Sequence, residues 1–428
     1  MSMLEKLLRL ARNAVHDRTI EPLLASCRLL VSERGQANVY ALALRVIDGY
    51  RSLPTARREA FFAALATEFG PDPKTVLDAA TRYAQAPTAE HLARLTTAVE
   101  PPRQELLRRI NRAPGGTAML LAMRNDLLAL RKNNAELAAV DADFLHLLSS
   151  WFNPGFLRLE RVDWQSSAAL LEKLMEHEAV HEIKGWGDLR RRVQPDRRCY
   201  AFFHPQLAGE PLIFVEVALV DSMADAVAPL IESEPRTQLA DSAKTAVFYS
   251  ISNCQPGLRG VSLGNFLIKK VADQLHSELP QIKTFCTLSP VPGLTRWLAS
   301  APQQDDAWSL ARQRVTAWRE AHATPTAQDV QGMDKALQAD LGSLCAHFLV
   351  HDTHTPLADP VARFHLDNGA RLERINFAAD LSRKGVRESL GLMVNYLYEI
   401  DTVEARHEQF ARGTISHSPA VKRLLKPA

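Results

Sequence analysis

The stretch from Phe248 to Trp297, FYSISNCQPGLRGVSLGNFLIKKVADQLHSELPQIKTFCTLSPVPGLTRW, constrains the fold of this chain more than any other. Residues 246–252 and 283–289 are β-rich runs. Between them, Gly257, Gly260 and Gly264 lead into a helix predicted over 264–279, with Leu267, Val271 and Leu275 as its apolar stripe. A glycine loop entering a helix presents outward backbone N–H groups and the positive end of the helix dipole, an arrangement suited to phosphate. The spacing Gly257-x-x-Gly260-x-x-x-Gly264 is neither G-x-G-x-x-G nor a Walker loop, since no GK[ST] follows. A pyrophosphate cradle and a merely structural turn both remain open on spacing alone. Arg259 and Lys269 would add charge to a phosphate site.

Two candidates for chemistry follow. Ser289 closes the second β run, and Pro290 and Pro292 on either side of Val291 fix the backbone after it. Rigidity of this kind aims a hydroxyl, although a serine capping the next turn is the commoner reading. His365 precedes the Asn368-Gly369 turn, and an imidazole beside a hydroxyl handles protons. A lone histidine in such a segment is otherwise structural. Cys345, His347, His351 and His354 contain an i,i+4 histidine pair but complete no zinc spacing, so no metal is assigned. Asn395 and Tyr396 are weaker pocket candidates, with packing as the alternative. His204 reads as structural, and Met119 and Met123 as core.

Composition narrows the class. With 428 residues the chain exceeds a single core, and 46% hydrophobic with 23% charged residues is ordinary for a globular protein. A net charge of +2 gives no electrostatic case for nucleic acid. The runs Arg190–Arg192 and Arg197–Arg198 read as solvated faces or ion-pair partners rather than anion sites. Five cysteines without C-x-x-C spacing suit a reducing compartment. No apolar run is long enough to span a bilayer; Glu216 interrupts even PLIFVEVALV. The opening residues MSMLEKLLRLARNAVHDRT are amphipathic, but Glu5 and Asp17 favour an ordinary first helix over a mitochondrial presequence. The chain ends in KPA, without a peroxisomal SKL-type address, and the expected location is the cytoplasm.

Residues 1–155 read as a helical bundle. Asp72-Pro73 opens one helix, Val76, Ala80 and Tyr83 recur at helical spacing, and Pro101-Pro102 and Pro114-Gly115-Gly116 punctuate others. Leu120, Met123, Leu127 and Leu130 form a further stripe. From 156 to 428 strand-like and helical segments mix, with 212–220 predicted as a central strand. The fold class is α+β: an all-helical N-terminal bundle followed by an acetyltransferase-like α/β catalytic domain.

These segments together resemble the malonyl-CoA decarboxylase family, nearly end to end. The resemblance is carried by EPPRQELLRRIN (100–111), LLSSWFNPGFLRLERVDW (147–164), EAVHEIKGWGDLRRR (178–192), EPLIFVEVAL (210–219), the 248–271 segment, LSPVPGLTRWL (288–298) and FHLDNGA (364–370). It implies conversion of malonyl-CoA to acetyl-CoA and CO2 without metal or biotin, within malonate or fatty-acid metabolism. Carried over by motif, Arg259, Gly260, Val261, Ser262, Leu263, Gly264 and Asn265 would bind the CoA pyrophosphate, and Ser289 and His365 would be the catalytic pair. The resemblance also implies a homo-oligomer, a tetramer with the helical domain in its contacts. Two departures matter: members commonly carry an acidic residue where this chain has Ser262, and inter-subunit disulfides known in the family are not expected at Cys254 and Cys286. Other readings are an acyl-CoA N-acyltransferase and a non-catalytic CoA-binding scaffold.

Overall fold

The computed structural model describes residues 20–32, 38–131, 134–232, 242–261, 266–300 and 307–426. The expected first helix over residues 1–19 lies outside these, as do Ser262, Leu263, Gly264 and Asn265. The described residues fall into two compact units.

The first unit lies within Met1–Leu157, His204–Glu210 and Gln255–Leu263. Its described α-helices are α1 (20–31), α2 (Val39–Arg51), α3 (Thr55–Thr67), α4 (Pro73–Gln85), α5 (Ala89–Val99), α6 (Pro102–Asn111), α7 (Gly116–Arg131) and α8 (Ala138–Trp151). Asp72 opens α4 as expected, its carboxylate accepting the Thr75 N–H at 3.0 Å with Pro73 in the first turn. Phe61, Phe62, Leu106, Leu120, Met123 and Leu127 form part of the buried core, and Met119 is buried as well. Leu130, expected in the α7 stripe, is only half-buried. Arg124 is also buried: its Nε meets Asp141 Oδ1 at 2.9 Å, and its Nη1 donates to the Gly257 carbonyl at 2.7 Å. Pairing of this sort is what makes a buried guanidinium tolerable. The α4–α5 hairpin differs from the rest, because neither helix buries a residue and Leu77, Leu92 and Val99 are exposed.

The second unit lies within Arg158–Phe203, Pro211–Cys254 and Gly264–Ala428. Its strands are β1 (Arg158–Val162), β2 (Arg197–Phe203), β3 (Pro211–Val220), β4 (Thr245–Asn253), β5 (Thr284–Thr287), β6 (Ser289–Pro290), β7 (Arg371–Asn376) and β8 (Met393–Tyr398). β1 to β4 pair in order and antiparallel, β4 pairs with β5 in parallel, and β8 lies antiparallel to β5, β6 and β7. Helices α9 (Ala168–His177), α10 (Trp186–Arg192) and α11 (Ala228–Ile231) accompany the early strands, and α12 (Phe266–Glu278) links the parallel pair. A parallel pair demands such a crossover, and α12 buries Leu267, Val271 and Leu275 as its spacing predicts. The later helices are α13 (Leu294–Ser300), α14 (Ser309–Ala321), α15 (Ala327–Gln331), α16 (Lys335–His351), α17 (Pro360–Asp367), α18 (Arg383–Ser389), α19 (Val403–Ala411) and α20 (Pro419–Leu424).

β3 is central, as its composition predicts: every residue from Pro211 to Leu219 is buried. That includes Glu216, which meets Arg192 Nη1 at 2.8 Å. The arginine runs are therefore ion-pair partners more than solvated faces. Arg191 pairs with Asp196 at 2.9 Å, and the buried Arg197 donates to the Leu230 carbonyl at 2.6 Å. Arg190 is exposed, with its guanidinium 5.7 Å from the Trp164 ring centre.

Two irregularities in the sheet prepare the site. Glu216 faces Ser250 and Val217 faces Phe248, so Tyr249 is an extra residue in β4, a β-bulge. Parallel pairing with β5 ends at the same level, at Phe248 opposite Thr287. Beyond it β4 continues to Asn253 along β3, while the segment after β5 continues along β8 as β6. The second irregularity is at Leu288. The strand expected over 283–289 is interrupted there, and Ser289 begins a separate two-residue strand.

Candidate active site

Ser289 lies two residues past the point where β4 and β5 part, and it is buried. Its Oγ donates to Thr287 Oγ1 at 2.9 Å and lies 3.0 Å from His365 Nε2. Thr287 and Ser289 share a strand face because they are two apart. The ladder to β8 is carried by side chains at the interruption. Thr287 Oγ1 accepts the Tyr396 N–H at 3.2 Å, and Asn395 Nδ2 donates to the Thr287 carbonyl at 2.8 Å.

His365 stands in the last turn of α17. Asp359-Pro360 opens this helix, with Asp359 Oδ1 accepting the Val361 and Ala362 N–H groups at 2.9 Å each. The expected turn ends it: Gly369 has φ +74°, and a Cβ there would fall 2.1 Å from the Val403 carbonyl oxygen. The imidazole stacks on Tyr396, with centroids 4.6 Å apart and planes at 25°, and its Nδ1 lies 2.8 Å from the Tyr398 hydroxyl. Burial alone drives the His365 pKa down to about 3 and raises that of Tyr398. At neutral pH the ring is neutral and the phenol keeps its proton. With the Ser289 proton on Thr287, Nε2–H donates to Ser289 and Nδ1 accepts from Tyr398. The result is a buried chain of neutral groups in which Tyr398 donates to His365, His365 to Ser289 and Ser289 to Thr287.

Asn395 is buried beside this chain, and every hydrogen-bonding position of its amide is filled from within. Nδ2 donates to the Thr287 and Ala224 carbonyls at 2.8 and 3.0 Å, and Oδ1 accepts from Arg374 Nε at 3.0 Å and Asn376 Nδ2 at 2.8 Å. It braces Thr287. The Tyr396 hydroxyl is buried and has no hydrogen-bond partner among the described residues.

Of the glycine loop, Arg259 and Gly260 are exposed and Val261 is buried. Gly260 takes φ +82°, which a residue with a side chain rarely adopts. Gly257 serves packing within the helical unit, since a Cβ there would lie 2.3 Å from the Leu121 carbonyl oxygen of α7. Lys269 lies 3.4 Å from Glu404. Cys345, His347 and His351 sit on α16, where the His347 ring lies 5.0 Å from Trp308 and 4.7 Å from His351. His204 Nε2 lies 3.1 Å from the Trp151 carbonyl oxygen. A cleft of about 1360 Å³ beside α13, α14 and α18 has neither Ser289 nor His365 in its wall.

Sequence reasoning missed Thr287 and Tyr398. Thr287 had a signal, its i,i+2 relation to Ser289; Tyr398 had none, since its nearness to His365 arises only when β8 pairs against β5.

Residues 155–428 match the family model described as the malonyl-CoA decarboxylase C-terminal domain, and residues 69–152 match that of the N-terminal domain. The chain belongs to the malonyl-CoA decarboxylase family. A goose protein (Anser anser anser) named mitochondrial malonyl-CoA decarboxylase is 36% identical over 385 residues, covering 82% of this chain and 76% of its own. A crystal structure of malonyl-CoA decarboxylase from Rhodopseudomonas palustris is 46% identical with a TM-score of 0.88, covering 94% of this chain and 99% of that one. The corresponding structure from Agrobacterium vitis is 45% identical with a TM-score of 0.86 and the same two coverages. Ser289, His365, Thr287 and Tyr398 all lie within the segment matching the family's C-terminal domain.

Proposed function

We propose that this chain decarboxylates malonyl-CoA to acetyl-CoA and CO2, with Ser289 and His365 as the groups that meet the malonyl unit. The observation that carries this reading is the buried neutral chain Tyr398–His365–Ser289, seated where β4 and β5 part. Loss of CO2 turns the malonyl thioester into an enolate whose charge spreads onto the thioester oxygen. Catalysis therefore needs donors stronger towards that oxygen than towards the substrate carboxylate. A cationic histidine beside the carboxylate would stabilise the starting state; a neutral one, with its pKa near 3, does not. Ser289 Oγ–H then delivers a proton to carbon 2, and His365 Nε2–H returns one to Ser289 while Nδ1 takes the Tyr398 proton, so the ring stays neutral. Solvent supplies the one proton the overall reaction consumes.

Residues 156–428 form the catalytic domain in this reading, and the loop Arg259 to Asn265 holds the CoA pyrophosphate. Residues 1–155 support a homotetramer: the α4–α5 hairpin leaves Leu77, Leu92 and Val99 uncovered within one chain. The five cysteines are buried, which fits the reducing cytoplasm, whereas the goose relative is named mitochondrial. The acetyltransferase-like sheet keeps N-acyl transfer as the second reading. Incubation with malonyl-CoA, with and without an amine acceptor, separates the two. CO2 release independent of acceptor is expected; acyl transfer with no CO2 would overturn the reading.

A further inference from the structure

Asp359 is buried, and its two carboxylate oxygens serve different segments. Oδ1 accepts the Val361 and Ala362 N–H groups at the start of α17, and Oδ2 accepts the Gly293 N–H at 2.7 Å. His365 follows Asp359 within that one helix, so a rigid turn joins it to the carboxylate. Gly293 follows Ser289 after Pro290, Val291 and Pro292, a short path stiffened by two fixed proline rings. Both reactive side chains are thus tied through stiff paths to a single side chain. We propose that Asp359 is a positioning residue that holds Ser289 and His365 in register; this rests on reading those two as the reacting pair.

The residue type supports it. Ser or Asn caps a helix as well as Asp. Each has a single side-chain oxygen, however, so neither can cap α17 and accept from Gly293 in the same way. Burial raises the Asp359 carboxyl above its usual range, and its three backbone N–H bonds oppose that rise. The turn is built around the contact: a Cβ on Gly293 would lie 3.0 Å from Asp359 Oδ2 and 3.2 Å from Phe348 Cζ. Phe348 cannot yield freely, because it stacks on Trp297 with centroids 5.0 Å apart, and the Trp297 indole donates to Asp352 at 2.7 Å.

Asp359→Ser and Gly293→Ala in the full chain test this beside Ser289→Ala. Serine keeps the cap but cannot reach Gly293; alanine leaves Asp359 in place but crowds it. The expected result is a kcat lowered roughly 10- to 100-fold by Asp359→Ser and about tenfold by Gly293→Ala, with KM for malonyl-CoA within threefold of the parent. A purely structural role would lower the amount of folded protein and leave kcat per folded molecule unchanged, and that result overturns the proposal. If Asp359→Ser does not fold, Gly293→Ala decides. Inactive Ser289→Ala with parental kcat in the clamp variants sinks the clamp alone. Fully active Ser289→Ala sinks the reading on which it rests.

Discussion

His365 Nδ1 lies 2.8 Å from the Tyr398 hydroxyl, while the other ring nitrogen lies 3.0 Å from Ser289. The phenol therefore fixes which nitrogen of the neutral ring carries the proton facing Ser289. Tyr398→Phe removes that control but keeps the ring. We expect kcat to fall roughly tenfold with KM little changed, in line with a lost orienting hydrogen bond. An unchanged kcat would show that stacking on Tyr396 suffices.

Ser289→Ala and His365→Ala should each lower kcat by about 100-fold or more while leaving the acetyl-CoA dissociation constant within a few-fold. Steady-state kinetics with calorimetric binding checks both halves. Weaker binding in proportion to lost turnover would make these residues ligand contacts without a part in the chemistry.

Burial of His365 has a consequence for acid stability. Its folded pKa is about 3, against about 6.5 unfolded, so the unfolded chain takes up a proton first as pH falls. The stability is present above pH ~6.5 and is lost progressively towards pH ~3, by about 2 kcal/mol at pH 5. His181 is also depressed by burial, to about 4, and acts in the same direction. His365→Gln should therefore lose less stability than the parent between pH 7.5 and 5 in urea titrations. His181 is common to both proteins and cancels.

How far the sequence reached depended on distance along the chain. The Asp72-Pro73 cap, the α12 stripe and the central strand around Glu216 are local patterns and appear as expected. Asp359-Pro360 is the same opening signal as Asp72-Pro73, yet nothing local shows that its second oxygen faces Gly293. The partnership of Arg192 with Glu216 is likewise invisible until α10 packs on the sheet. Gly257 read as part of a phosphate loop; its tight fit is against the Leu121 carbonyl.

Gly257→Ala follows from that contact. A Cβ 2.3 Å from a backbone oxygen forces α7 and the loop apart, and overpacking of this kind costs about 1–3 kcal/mol. Thermal melting should show a drop of a few degrees; an unchanged melting temperature would contradict the packing role.

The uncovered α4–α5 face gives a separate test. Leu77→Lys with Leu92→Lys should lower the mass measured by light scattering, with kcat per chain unchanged. An undiminished mass would place the subunit contacts elsewhere.

The most direct measurement is incubation of the purified chain with malonyl-CoA alone in D2O. CO2 and acetyl-CoA should appear in equal amounts, the acetyl methyl should carry one deuterium, and Ser289→Ala should abolish most of both. No CO2 from the unaltered chain, or CO2 release undiminished in Ser289→Ala, would contradict the account.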